Sequence, residues 1–261
     1  MRDAEKHTDA IFSRIRRNGC VLMLDFDGTL APLTPEPGRA RMRAGTRRAL
    51  EVVARRYPVA VITGRALSDV RARVPIRGIS FAGNHGLELS VRGKVHRVRL
   101  SKISQRALDA IRVCMRSLAR RYKGVYFQDK RHSLSLHYRH SPRREHAAIR
   151  AEAVKAIRET GGLRVVEGIY VINILPGVRH DKGTAAREMY ASLSRGKKRV
   201  PVFIGDDVTD EDAFRALKKG ITIRVGKSSS SSAKYYFKSR AGVDRFLLTL
   251  ADTCAAAASS S

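Results

Sequence analysis

Tryptophan is absent from the 261 residues, aromatic side chains make up 6% of them, and cysteine occurs three times. The few aromatics are not interleaved with basic residues, which argues against the stacking platform of single-strand nucleic-acid binders. Cys20, Cys114 and Cys254 are odd in number and far apart. They form neither a disulfide framework nor a metal clip, and reduced, buried thiols are expected. No stretch approaches the roughly 18 apolar residues of a membrane span; the run at residues 20–24, one of the longest, stops at a carboxylate. The start of the chain mixes acids with bases and lacks the apolar block of a signal peptide. A cytoplasmic protein with no membrane partner and no obligate protein partner is the expectation.

Acidic residues are also scarce, 24 against 52 lysines and arginines, a formal charge of +28. Such a surplus is the electrostatic footprint of a nucleic-acid binder, and a basic nucleic-acid-binding module is one functional alternative. The bases are scattered through every segment, however, and no basic tail stands apart. Charge is therefore a weak pointer, and nucleic acid is not expected as the primary ligand. Hydrophobic residues, 43% of the chain, suffice for a packed core, and the length suits one large or two modest domains.

Hydrophobic patterning supplies the architecture. Residues 20–25 and 59–62 are apolar runs of strand length, as buried parallel strands require. Helical stretches at 9–17, 45–56 and 67–73 and a strand at 79–82 complete a β, α, β rhythm, with a proline-rich loop at 32–38. The middle reads differently. Residues 101–122 form one amphipathic helix with Ile103, Ala107, Ile111, Met115 and Leu118 at helical spacing. Strands follow at 124–128 and 133–138, then a helix at 142–160 stopped by Gly161-Gly162, then a hairpin of 163–166 and 169–175 turning at Glu167-Gly168. After residue 177 the alternation resumes, with helices at 182–193, 211–218 and 243–251 and strands at 200–204, 221–225 and 235–237. The expected fold is a doubly wound, parallel-sheet α/β core, residues 1–100 and 178–261, interrupted by an α+β (αββαββ) insertion, residues 101–177. Residues 255–261 form a low-complexity tail expected to fray.

Two acidic strings carry chemistry. Asp25-Phe26-Asp27-Gly28-Thr29-Leu30 follows a buried strand directly. Carboxylates two apart on an extended chain face opposite ways, so the strand must turn near Phe26 for both to reach one site. Asp25, at the carboxyl end of a strand, sits where open α/β sheets bind ligands. It can act as nucleophile while Asp27 gives and takes a proton; a turn with acidic caps is the plainer alternative. Gly205-Asp206-Asp207-Val208-Thr209-Asp210-Glu211-Asp212 places five acids within seven positions of a strongly basic chain. A divalent cation, Mg²⁺ above all, compensates such crowding, although an acidic helix cap is compatible with the same string. Thr63-Gly64-Arg65 and Lys182 each open a helix and can hold phosphate oxygens.

These strings, with Ala82-Gly83-Asn84-His85-Gly86-Leu87-Glu88, Ser133 to Arg139 and Asp181-Lys182-Gly183, resemble the haloacid dehalogenase superfamily of phosphatases. More narrowly, they resemble its trehalose-6-phosphate phosphatases, over about residues 20–250. The resemblance implies that the core is of the haloacid-dehalogenase-like, Rossmann type and the insertion a cap closing over a sugar. Asp25 would form an aspartyl phosphate, Asp27 would protonate the sugar oxygen and then activate water, and Thr63 and Lys182 would bind the phosphoryl oxygens. Mg²⁺ would be held by Asp25, the Asp27 main-chain carbonyl and Asp206, supported by Asp207 and Asp210. Substrate contacts would come from Gly64, Arg65, Asn84, His85, Glu88, Gln128, Lys130, Arg139 and Asn173. Gln128 and Asn173 stand where the family's cap commonly carries carboxylates, so an amide replaces an acid at two sugar-facing positions. Hydrolysis of trehalose 6-phosphate is the leading expectation, and another phosphorylated disaccharide or glycoside the alternative substrate.

Overall fold

The structure, a computed structural model, describes residues 1–178 and 180–258. It divides into two compact units, Met1–Arg97 with His180–Ser261, and Val98–Arg179. The first unit opens with β1 (Arg2–Asp3), α1 (Thr8–Asn18), β2 (Cys20–Leu24), α2 (Ala44–Arg56), β3 (Val59–Ile62), α3 (Leu67–Arg73), β4 (Ser80–Gly83), β5 (Glu88–Val91) and β6 (Lys94–Arg97). The second contains α4 (Lys102–Arg121), β7 (Tyr126–Asp129), β8 (Leu134–His137), α5 (His146–Thr160), β9 (Leu163–Gly168) and β10 (Val171–Pro176). The first resumes with α6 (Lys182–Ser194), β11 (Val200–Gly205), α7 (Glu211–Ala216), β12 (Ile221–Val225), β13 (Tyr235–Phe237) and α8 (Ala241–Ala258).

Among the described residues the first unit holds one sheet in the order β1-β13-β12-β11-β2-β3-β4-β5-β6. Pairing is parallel from β1 to β4. Side chains alternate across a strand, and β2 uses both faces: Cys20, Leu22 and Leu24 join one core with α1, α2 and α8, while Val21 and Met23 join another with α6 and α7. A one-residue slip would exchange the two sets, so the two cores fix the register that places Asp25 just past the strand. Truncating Leu22, fully buried, to alanine would cost about 2–5 kcal/mol.

The second unit is an antiparallel sheet in the order β7-β8-β10-β9. Leu134, Leu136, Ile172 and Ile174 pack beneath α4 and α5. On the opposite face, Gln128, Ser135, Asn173 and Val166 are directly aligned across the four strands, so their side chains stand in one row.

Several expectations need correction. The sheet edge is antiparallel, because β5 and β6 form a hairpin against β4; Arg92 and Gly93, at φ 50° and 83°, make the two-residue turn that such hairpins favour. The two-residue β1 was not anticipated. Ile103 is 75% exposed, leaving the buried stripe of α4 to Ala107, Leu108, Ile111, Met115 and Leu118. The β9–β10 turn falls at Ile169-Tyr170, where Tyr170 takes φ 61°, two residues beyond the expected Glu167-Gly168. Cys20 and Cys254 are buried and Cys114 is exposed. Burial pushes the Cys20 thiol up to about 12, which keeps it unreactive. The final helix extends to Ala258, and residues 259–261 of the tail lie outside the described residues. Among those described, no helix is long and apolar enough to cross a membrane.

Candidate active site

The parallel strands end together on one edge of the sheet, and the chemically armed residues follow them. β2 closes at Leu24, after which the Asp25 amide still donates to the Ile204 carbonyl of β11 at 2.9 Å. The chain then turns: Gly28 N–H donates to Ala31 O and Ala31 N–H to Phe26 O, both at 2.8 Å. Gly28 takes φ +79°, and a Cβ there would come within 2.0 Å of an Asp206 carboxylate oxygen. Glycine thus serves both the turn and the approach of the two acidic strings.

Asp25, Asp206 and Asp210 each place a carboxylate oxygen within 4.8 Å of the others. Lys182, at the start of α6 and 3% exposed, donates its ammonium to Asp25 Oδ1 at 2.9 Å and to Asp210 Oδ1 at 2.8 Å. Asp210 Oδ2 accepts the backbone amides of Asp206 and Asp207 at 3.0 and 2.9 Å. With both oxygens engaged, Asp210 organises the loop and aims Lys182. Thr29 donates to Asp206 Oδ1 at 3.2 Å. Burial drives the carboxyls of Asp25 and Asp210 above their ordinary range, with Lys182 opposing. Asp206 is pushed to about 7 by burial and by the Asp210 charge. Lys182 is held protonated: burial works against its charge, but Asp210 and Asp25 outweigh it.

Fully ionised, three carboxylates and one ammonium carry a formal charge of −2. A divalent cation matches that charge, and the all-oxygen donor set suits a hard metal such as Mg²⁺. The residues present therefore fit a metal, with Asp25 and Asp206 offering the less encumbered oxygens. Asp207 stands outside the group: its side chain accepts the Val208 amide at 2.7 Å and caps the short 3₁₀ turn Val208–Asp210.

The Asp27 carboxylate points elsewhere. Arg65 grips it with two bonds, Nε to Oδ2 and Nη2 to Oδ1, both at 2.6 Å. The same guanidinium donates to Asp69 Oδ2 and to the Pro37 carbonyl, each at 2.8 Å. Arg65, expected to contact substrate, is 9% exposed with its guanidinium bonded to Asp27, Asp69 and Pro37. Asp69 and Pro37 escaped sequence reasoning, since Arg65 precedes α3, which begins at Leu67, and helical spacing does not pair it with Asp69.

Thr63 is buried just past β3, its hydroxyl oxygen accepting the Arg65 amide at 3.2 Å. Gly64 is required there because a Cβ would lie 2.6 Å from the His85 ring. Asn84, His85 and Gly86 take φ 50°, 55° and 99° in succession. Left-handed geometry at a non-glycine residue costs about 1–3 kcal/mol, and buried bonds offset it here. The His85 amide donates to Thr63 O at 3.0 Å and the Asn84 amide to Arg65 O at 2.6 Å. Glu88 Oε2 accepts the Asn84 side-chain amide at 2.7 Å.

In the second unit, Asn173 accepts the Ser135 hydroxyl at 2.6 Å and donates to the Val166 carbonyl at 3.2 Å. Gln128 Oε1 lies 3.2 Å from His137 Nε2. Arg139 stacks its guanidinium 4.8 Å from the centre of the Tyr170 ring, and Lys130 sits in the β7–β8 loop, its amide donating to Ser133 O at 2.9 Å. Ser135, the centre of the polar row, was missed although its place in the alternating Ser133-Leu134-Ser135-Leu136 string puts it opposite the core face.

Comparison with known proteins places the chain among relatives. The family model for trehalose-phosphatase matches residues 23–241. Similar proteins include a probable trehalose-phosphate phosphatase D of Arabidopsis thaliana, 32% identical over 247 residues and covering 89% of this chain and 67% of that protein. A trehalose-phosphate phosphatase of Mycobacterium ulcerans is 35% identical over 238 residues, covering 88% of this chain and 61% of its own length. The chain thus spans about two thirds of these relatives or less. Among solved structures, the C-terminal domain of the C. albicans trehalose-6-phosphate phosphatase shares the fold, with a TM-score of 0.82 at 19% identity, covering 94% of this chain and 96% of that one.

Proposed function

The chain belongs to the trehalose-phosphatase family, and from that premise we propose that it hydrolyses trehalose 6-phosphate to trehalose and inorganic phosphate with Mg²⁺ as its metal. The observation that carries this reading is the surroundings of Asp25: a buried carboxylate at a strand end, held by Lys182 at 2.9 Å and grouped with Asp206 and Asp210.

A carboxylate oxygen of Asp25 attacks phosphorus and the bond from phosphorus to the sugar oxygen breaks, leaving an aspartyl phosphate. Once one of its oxygens is released from the Arg65 guanidinium, Asp27 delivers a proton to the departing sugar oxygen. Asp27 then takes a proton from the water that attacks phosphorus, and the Asp25–phosphorus bond breaks to release phosphate. When bound, Mg²⁺ supplies charge neutralisation for the phosphoryl oxygens, held by Asp25, the Asp27 carbonyl and Asp206. Lys182 keeps its positive charge throughout and steadies both Asp25 and the transferring group; Thr63 contributes a hydroxyl. Such transfers depend on positioning and electrostatics more than on further covalent chemistry. Arg65 serves by aiming Asp27, and Asn84, His85 and Glu88 by shaping the loop beside Thr63.

Gln128 and Asn173 contribute sugar contacts through neutral amides, with Lys130 and Arg139 nearby in sequence. Amides bond sugar hydroxyls without the added strength of a charged acceptor, and this favours one further reading, another phosphorylated disaccharide or glycoside. Phosphate release from a panel of sugar phosphates in saturating Mg²⁺ separates the two. The proposal expects kcat/KM for trehalose 6-phosphate to lead the panel; a different disaccharide phosphate in that place would overturn the substrate assignment and keep the chemistry.

A further inference from the structure

At the opposite ends of the sheet's strands, where β2, β11 and β12 begin, lies a cleft of about 570 Å³. Its walls carry Arg14, Arg187, Lys198, Arg199, Lys218 and Lys219, together with Tyr190, Pro201 and Leu217, and no carboxylate. A smaller cavity of about 210 Å³ adjoins it, sharing Asn18 and Arg199 and adding Arg16, Arg56 and Lys197, again without an acid. None of these nine cations forms an ion pair among the described residues, a state they share with other cations of this strongly basic chain.

Arg199 carries a second, independent sign. It lines both cavities, and its buried Nε–H has no acceptor among the described residues. Buried donors are almost always satisfied, so this guanidinium, which lines both cavities, is under-partnered on the protein side. Its backbone is fixed, since Tyr190 donates its hydroxyl to the Arg199 carbonyl at 2.7 Å. The positive field extends to Lys234, which donates to the Gly220 carbonyl at 3.1 Å; burial and the charges of Arg14 and Arg2 push its ammonium below the ordinary range.

We propose that this cleft binds a small soluble polyphosphate-bearing anion, at a site separate from the catalytic one. Its volume lies within the roughly 300–1,000 Å³ usual for small-ligand sites. The cations converge on a concavity with apolar and tyrosine walls, a shape suited to a compact, multiply charged molecule rather than to an extended strand. The five residues of β2 that separate it from Asp25 span about 16 Å, so one small ligand does not reach both.

The probe is inorganic tripolyphosphate, titrated calorimetrically into the full chain carrying Asp25→Asn, so that no phosphoryl transfer consumes it, with free Mg²⁺ in excess. One-site binding is expected, weakened about a hundredfold when Arg187, Lys198 and Lys218, all exposed, become alanine together, through the loss of three charge-assisted contacts. The same three substitutions in the wild-type background are expected to leave phosphatase turnover and Tm unchanged. Should the triple variant unfold, Lys198→Glu alone reads the same weakening. Undiminished binding in a folded variant, or no binding to the unsubstituted chain, would overturn the proposal. So would a 20-nucleotide RNA that binds more tightly than tripolyphosphate at physiological salt and loses affinity in the same variant, which would make the cleft a nucleic-acid surface. Because the readout is binding, it stands or falls independently of the substrate assignment.

Discussion

Replacing Asp206 by asparagine removes a titrating group while keeping its shape and an oxygen to accept the Thr29 hydroxyl, so it isolates the electrostatics of the acidic pocket from its packing. Burial first, and then the Asp210 charge, raise this carboxyl from 3.8 to about 7, against the pull of Lys182. Between those values the folded chain holds a proton that the unfolded chain has released. The group's stabilising contribution is therefore complete below about pH 4 and lost as pH climbs to about 7. At roughly 1.4 kcal/mol per pH unit, the loss amounts to about 4 kcal/mol. With metal chelated, denaturant unfolding followed by circular dichroism should show wild type and Asp206→Asn nearly equal at about pH 4. At about pH 7.5 the variant should lead by up to about 4 kcal/mol. Excess Mg²⁺ at the higher pH should then stabilise the wild type and leave the variant almost unchanged, since binding only the folded state adds stability by mass action. A wild type–variant difference that stays flat across this range would refute the reasoning, because it would mean that Asp206 carries no buried-charge penalty for a metal to relieve.

Other perturbations reach the neighbouring devices. Arg65→Lys keeps a cation but loses the two-pronged grip on Asp27, and kcat is expected to fall at least about tenfold with KM changed less than about threefold; an unchanged kcat in steady-state assays would detach Arg65 from catalysis. Gly64→Ala drives a methyl against the His85 ring, 2.6 Å away. It should cost about 1–3 kcal/mol, seen as a drop in Tm of about 3–10 °C; an unshifted Tm would mean that the loop is not packed as described. Asn173→Ala should raise KM for the sugar phosphate about tenfold while leaving turnover of a small aryl phosphate intact. Equal effects on both substrates would assign Asn173 to structure alone.

How far the sequence reveals this molecule depends on the range of the interaction. The apolar run at 20–24 announces a strand buried on both faces, and the carboxylate ending it is legible as a site residue because open α/β sheets place ligands there. The register row of Gln128, Ser135 and Asn173 is half legible: alternation shows which residues share a face, but which strands pair is set by packing under α4 and α5. The five acids from Asp206 to Asp212 cannot be sorted by spacing, since all are chemically alike. Only the folded turn separates buried Asp210, bonded to Lys182, from Asp207, which caps the 3₁₀ turn. The Arg65–Asp27 grip spans 38 residues and arises where β2 and β3 end side by side, so nothing local announces it. The β5–β6 hairpin is readable from Arg92-Gly93 between alternating segments, beyond the strand expected at 79–82. The unassigned surplus of positive charge acquires a place only in three dimensions, because the cations at the strand starts come from residues 14 to 219.

The most direct test of the central claim is phosphate release from trehalose 6-phosphate in Mg²⁺ by the wild-type chain and by Asp25→Asn, with the variant's fold checked by circular dichroism. Turnover by the wild type, and a folded variant slower by at least about a thousandfold, is the expected result for the loss of a covalent nucleophile. A folded Asp25→Asn chain that releases phosphate at a rate near wild type would contradict it.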